Sequence, residues 1–121
     1  MGGFDKYIGP ETWLQKTIID YITMQYPRWV VVHPPNEGKR SPFERYLLKL
    51  LGVKSGASDL IIFAPGAVLC LEVKAGKNTL TDNQKTFIDG VNNLGHSATW
   101  CNNFDAARVI IDTFANNLKS A

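Results

Sequence analysis

The tightest constraint on this chain is the stretch from Asp59 to Lys74, where two runs of strand-forming residues flank Pro65-Gly66. Leu60-Ile61-Ile62-Phe63-Ala64 and Ala67-Val68-Leu69-Cys70-Leu71 are too apolar for surface loops and too short for separate helices. Pro-Gly marks a tight turn, so the stretch predicts an antiparallel hairpin with strands over residues 59–64 and 67–74. If the turn has two residues, Ala64 pairs with Ala67, and counting back sets Asp59 directly opposite Glu72. Alternation puts Leu69, Leu71 and Val73 on one face and Val68, Cys70, Glu72 and Lys74 on the other. Like charges directly across a ladder are destabilising. Such a pair persists where a proton or a cation lies between its members. Two plainer readings stand beside this one. Asp59 next to Ser58 is also a turn residue, and Glu72 with Lys74 is also the polar face of an edge strand, although Val68 and Cys70 beside them read as buried.

The flanking segments predict the rest of the fold. Pro10 opens a helix whose Leu14, Ile18 and Tyr21/Ile22 recur at helical spacing until Pro27 stops it. Residues 29–32, Trp-Val-Val-Val, read as a short buried strand, and residues 33–41 as a polar loop. Residues 42–51 predict a short helix closed by Gly52. Thr81 and Gln84 form a capping box ahead of Phe87, Val91 and Leu94, with Gly95 as the stop. Residues 97–101 read as a strand, after which Asn103 caps a last helix carrying Ala107, Ile110/Ile111, Phe114 and Leu118 inward. The order α-β-α-β-β-α-β-α predicts an α/β fold of the α+β kind, a small mixed sheet flanked by helices. With no repeats or linkers in 121 residues, 1–121 reads as a single domain.

Glu11 precedes Leu14 by three and Ile18 by seven, so it points along the buried stripe of its helix; a first-turn acid also favours the helix dipole. Gln84 stands likewise before Phe87 and Val91, and it also serves its own cap. Three carboxylates, Lys74 and Gln84 thus aim at one place. Hard oxygen ligands beside a lysine select Mg²⁺ or Mn²⁺ over zinc. His33 and His96 have no ligand-like spacing. The Gly52–Gly56 region lacks the Lys-Ser/Thr of a phosphate loop, so no nucleotide cofactor is expected. Cys70 and Cys101 sit in apolar runs without a His partner and read as buried thiols of a reducing compartment. What remains is metal-assisted hydrolysis.

Net charge is +2, but residues 39–54 carry Lys39, Arg40, Arg45, Lys49 and Lys54 against Glu44 alone, and residues 74–85 carry three lysines against Asp82. A local basic band suits a polyanion on one face, or is simply a solvated surface. No apolar run approaches the roughly 18 residues of a membrane span, and residues 1–6 lack the apolar core of a signal peptide. The chain reads as cytoplasmic, in a bacterial or phage-infected cell once the resemblance below is included.

An acid on a first helix, then Asp59-Xaa(12)-Glu72-Val73-Lys74 across a hairpin, resembles the PD-(D/E)XK nuclease superfamily. The finer pattern is similar to its virus-type replication-repair nuclease (VRR-NUC) domain, in the compact stand-alone phage or bacterial form. It is carried by Glu11-Xaa(3)-Gln15, His33-Pro34-Pro35-Asn36-Glu37-Gly38, Gly52-Val53-Lys54-Ser55-Gly56-Ala57-Ser58-Asp59-Leu60, Leu71-Glu72-Val73-Lys74, Leu80-Xaa(3)-Gln84 and Gly95. Ser58 departs from the pattern, standing where the superfamily has proline.

The resemblance implies a restriction-endonuclease-like core and a divalent-metal-dependent DNA endonuclease. Glu11, Asp59, Glu72 and the Val73 carbonyl would hold Mg²⁺ or Mn²⁺. Lys74 would orient or deprotonate the attacking water, and Gln84 would position Lys74, water or phosphate. Asn36, Lys39, Arg40, Lys54 and Lys77 would contact DNA, branched duplex such as four-way junctions or flaps. Cutting both strands of a junction implies a homodimer, for which residues 42–51, apolar on more than one face, offer material unless they are wedged against the chain's own sheet. A restriction-like or RNA nuclease, or a catalytically idle DNA-binding subunit, are the competing readings.

Overall fold

In the computed structural model, which describes residues 3–34 and 41–118, the hairpin forms in the predicted register. Strands β2 (Leu60–Ala64) and β3 (Ala67–Val73) pair antiparallel with Ala64 opposite Ala67 and Leu60 opposite Leu71. Gly66 takes φ +77°, the left-handed conformation that a turn of this tightness asks of glycine. β1 (Val30–Val32) adds antiparallel to β2, and β4 (Ser97–Cys101) adds parallel to β3, giving a four-stranded mixed sheet in the order β1-β2-β3-β4.

Among the described residues four α-helices accompany the sheet, after a 3-10 turn at Asp5–Tyr7: α1 (Pro10–Gln25), α2 (Pro42–Leu50), α3 (Asp82–Asn93) and α4 (Phe104–Leu118). The predicted order is found in full. Leu60, Ile62, Leu69, Leu71 and Val73 point to one side of the sheet and meet Ile18 and Ile22 of α1 and Ala107, Ile111 and Phe114 of α4 in one core. α3 makes the crossover between the parallel strands β3 and β4, as parallel pairing requires. Its N-terminus carries the predicted capping box, Thr81 with Gln84, and Asn103 Oδ1 caps α4 by accepting from the Ala106 N–H at 2.8 Å. Cys70 and Cys101 are buried free thiols, and burial pushes Cys101 up to about 11. Neither is a nucleophile at neutral pH.

Three local readings need correction. β1 is an edge strand with Val30 and Val32 exposed, because only its Val31 side meets the core. Leu94, expected on the inner face of α3, is 80% exposed, because the helix ends one residue earlier and Leu94 is its C-cap. α2, expected to bury at least one face, has no buried residue: Leu48 is half-buried, whereas Phe43, Tyr46, Leu47 and Leu50 stand in solvent. A second capping box, Ser41 with Glu44, starts this helix and went unread in the sequence. Among the described residues no helix is long and apolar enough to cross a membrane.

Candidate active site

The open end of the hairpin gathers the buried charge. Ser58, Asp59 and Glu72 are the only buried polar or charged residues among those described, at 1%, 4% and 3% exposure. Asp59 immediately precedes β2, one step beyond the last paired residues Leu60 and Leu71, so it meets Glu72 as the register predicts. Its Oδ2 accepts the Val73 main-chain N–H at 2.8 Å. Glu72 is ordinarily ionised at neutral pH, but here its carboxyl is raised to about 8. Burial is the main cause; the charge of Asp59 and a hydrogen bond between the two carboxyl groups add to it, and Lys74 opposes it. The Lys74 ammonium lies 3.8 Å from Glu72 Oε2, with its side chain largely buried.

Gln84 resolves the choice between its two sequence readings by filling both. Its Oε1 accepts the Thr81 N–H at 2.9 Å, closing the helix cap, while its Nε2 donates to Glu72 Oε2 at 3.1 Å. The cap thereby aims the amide at the carboxylate. Among the described residues Glu72 Oε1, though buried, has no hydrogen-bond partner, and neither has Ser58 Oγ beside Asp59. A buried orphan acceptor costs on the order of 1–3 kcal/mol. Two adjoining carboxylates, one with an oxygen turned to no donor, form an acceptor set that a hard divalent cation fits.

A profile of the VRR-NUC domain family matches residues 10–105, most of the chain and all of this site. The chain belongs to the VRR-NUC family. Its fold agrees: a solved structure described as a VRR_NUC domain protein matches with TM-score 0.71 at 24% identity, over 88% of each chain. A second, described as a VRR_NUC domain, matches with TM-score 0.60 at 18% identity, over 84% of this chain and 94% of the other. No curated protein sequence matches. Family and fold are those of PD-(D/E)XK-type nucleases with a restriction-endonuclease-like core.

Within this VRR-NUC domain, Asp59, Glu72, Lys74 and Gln84 are brought together by the contacts above. Glu11 sits half-buried in the first turn of α1. It does not complete a cluster, since no group of three His, Cys, Asp or Glu side chains able to hold a metal forms among the described residues. Val73 buries its side chain in the core and commits its N–H to Asp59. Lys54 and Lys77 are exposed, in the loops that precede and follow the hairpin in the chain. Asn36, Lys39 and Arg40 lie outside the described residues.

One participant was missed. His33 Nδ1 lies 2.6 Å from the Asp59 carbonyl oxygen. A carbonyl only accepts, so Nδ1–H is the donor. Asp59 is thus held twice, by its carboxylate at Val73 and by its main chain at His33. The signal was available: antiparallel pairing of β1 with β2, Val32 opposite Ile61, carries the chain after β1 toward Asp59.

Proposed function

We propose that this protein is a divalent-metal-dependent DNA endonuclease selective for branched duplexes such as four-way junctions and flaps. The observation that carries the metal dependence is the buried Asp59–Glu72 pair with its unpartnered Glu72 Oε1. Mg²⁺ or Mn²⁺, held by Asp59 and Glu72 with Glu11 and the Val73 carbonyl as further candidate ligands, would supply charge for the phosphate and lower the proton affinity of the attacking water. The chain's own residues do the remainder. Lys74 places a cation beside the carboxylates, where negative charge grows on the phosphate during in-line displacement. Gln84 holds Glu72 in one orientation, and His33 holds the Asp59 main chain.

DNA is supported as the target by exposed lysines in the loops that flank the hairpin in the chain, Lys54 before it and Lys77 after it. A branched target and a homodimer are supported together. Paired cuts in a four-way junction need two sites related by a two-fold axis, and Phe43, Tyr46, Leu47 and Leu50 of α2 offer 43–69% exposed apolar side chains to a second copy. The deciding experiment incubates labelled junction, flap, linear duplex and single-stranded DNA with the protein in Mg²⁺, Mn²⁺ or EDTA. Cutting of the branched substrates in metal alone is expected, and its loss in Glu72→Ala and Asp59→Asn. Undiminished cutting in EDTA or in either variant refutes the site.

A further inference from the structure

Near the carboxylate pair lies a cleft of which the reading above uses only Lys54. It has a volume of about 390 Å³ and opens between the loop after α2 and the first turns of α3, where Lys49, Lys54, Ser55, Asn83 and Thr86 line it. Among the described residues no carboxylate lines it, so the two ammonium groups make it cationic. Three further side chains bring hydroxyl or amide donors. Asn83 Nδ2 donates to Ser55 Oγ at 3.0 Å, which leaves the Ser55 hydroxyl hydrogen for another acceptor.

The walls of this cleft are fixed to one another and to the active site. Gly56 has φ +83° and lies so close to α3 that a Cβ there would meet the Asn83 carbonyl oxygen at 2.4 Å. The loop therefore rests on the helix at backbone contact, a distance only glycine permits. Four residues beyond Ser55 the same loop delivers Asp59, and the residue after Asn83 is Gln84, whose amide donates to Glu72. The cleft thus shares one of its two segments with Asp59 and the other with Gln84, which holds Glu72. An anion seated in one is held at a set spacing from the other.

We infer that this cleft is a seat for a backbone phosphate of duplex DNA, distinct from the phosphate that is cut, and that it orients the duplex on the Asp59–Glu72 pair. The inference rests on the nuclease reading. Fluorescence anisotropy of a labelled duplex, with the full chain in EDTA across a salt series, tests it. Lys49→Ala/Lys54→Ala should weaken binding and lower the slope of log affinity against log salt by about 1, the release expected for one phosphate contact. Charge removal alone does not separate a seat from a diffuse basic surface, so a second variant carries the distinction. Asn83→Asp puts a carboxylate against the phosphate while an acid in a first helical turn and a reoriented Ser55 hydroxyl keep the fold. It should weaken binding about tenfold or more, as a like charge in direct contact does. Asn93→Asp, the same charge change at the far end of α3, should cost less than about twofold, because exposed charges beyond a Debye length of about 10 Å are screened. Equal weakening by Asn83→Asp and Asn93→Asp, or an unchanged salt slope in the double lysine variant, overturns the seat while leaving cleavage by the parent intact. A parent that neither retains duplex at low salt nor cuts it overturns the nuclease reading and the seat together.

Discussion

Removing the charge of Glu72 should stabilise the metal-free protein, and the pH at which it does so follows from the site. The Glu72 carboxyl is raised from 4.5 to about 8 by burial and by Asp59. Between those values the unfolded chain has released the proton and the folded chain still holds it. The stability this group contributes is therefore complete below about pH 4.5 and lost as pH rises toward 8. The linkage slope is about 1.4 kcal/mol per pH unit for one proton, so the window spans a few kcal/mol, a large part of a typical domain's 5–15 kcal/mol. In Glu72→Gln the amide cannot ionise, and it can still accept from Gln84 Nε2 as Glu72 Oε2 does. Thermal melts in EDTA from pH 5 to 8 should show the parent losing several degrees and the variant losing almost none. At pH 8 the variant should be the more stable of the two. Mg²⁺ or Mn²⁺ should restore the parent at pH 8 and leave the variant nearly unmoved, because only the ionised pair binds the cation well. Asp112, whose carboxyl is lowered chiefly by the Tyr21 hydroxyl, acts below the ordinary carboxylate range and does not enter this window. A parent whose melting temperature is flat or rising from pH 5 to 8 would refute the reasoning, as would a parallel decline in the variant.

Other substitutions separate the remaining roles. Lys74→Ala should lower turnover by two or more orders of magnitude with little change in DNA affinity, the pattern of a group whose interaction strengthens in the transition state; parallel loss of binding would make it a phosphate clamp. His33→Asn, whose side-chain amide can donate to the Asp59 carbonyl in place of Nδ1–H, should retain most activity, whereas His33→Phe should need more metal for half-maximal cleavage; equal metal titrations for the two would show that the 2.6 Å contact positions nothing. Leu50→Glu, on the exposed side of α2, should convert a dimer to monomer in light scattering at micromolar concentration, and monodisperse monomer in the parent would remove the dimer from the proposal.

What could be read from the sequence was what local chemistry determines. The two-residue turn leaves the hairpin a single register, so Leu60, Ile62, Leu69, Leu71 and Val73 went to the core and Asp59 to Glu72 without knowledge of any other element. The Thr81–Gln84 box was legible for the same reason, since both partners lie within one helical turn. What could not be read depends on contacts distant in the chain. The apolar residues of β1 and α2 show a need for burial without naming a partner, and here both keep exposed faces. Glu11 shows the limit from the other side. Helical phase placed it along a buried stripe, but the distance from α1 to the hairpin's end is a tertiary quantity, and no three-carboxylate group forms among the described residues.

The site itself is built at the point where the hairpin stops behaving as a hairpin. Beyond Leu60 and Leu71 the ladder would continue by pairing main chain with main chain. Instead the Val73 N–H donates to the Asp59 carboxylate, a side chain standing in for the backbone acceptor of the next rung. On the other side of the same residue the Asp59 carbonyl accepts from His33, which is delivered by the strand on the other side of β2. Glu72 remains within β3, held rigid by pairing with β4 on one flank and by Gln84 above. Two carboxylates are thereby fixed beside each other by bonds that compete with none of the core's own, and the core under them is apolar throughout. The repulsion between Asp59 and Glu72 can therefore be relieved by a proton or a cation without disturbing the fold, a property that a site binding and releasing a metal requires.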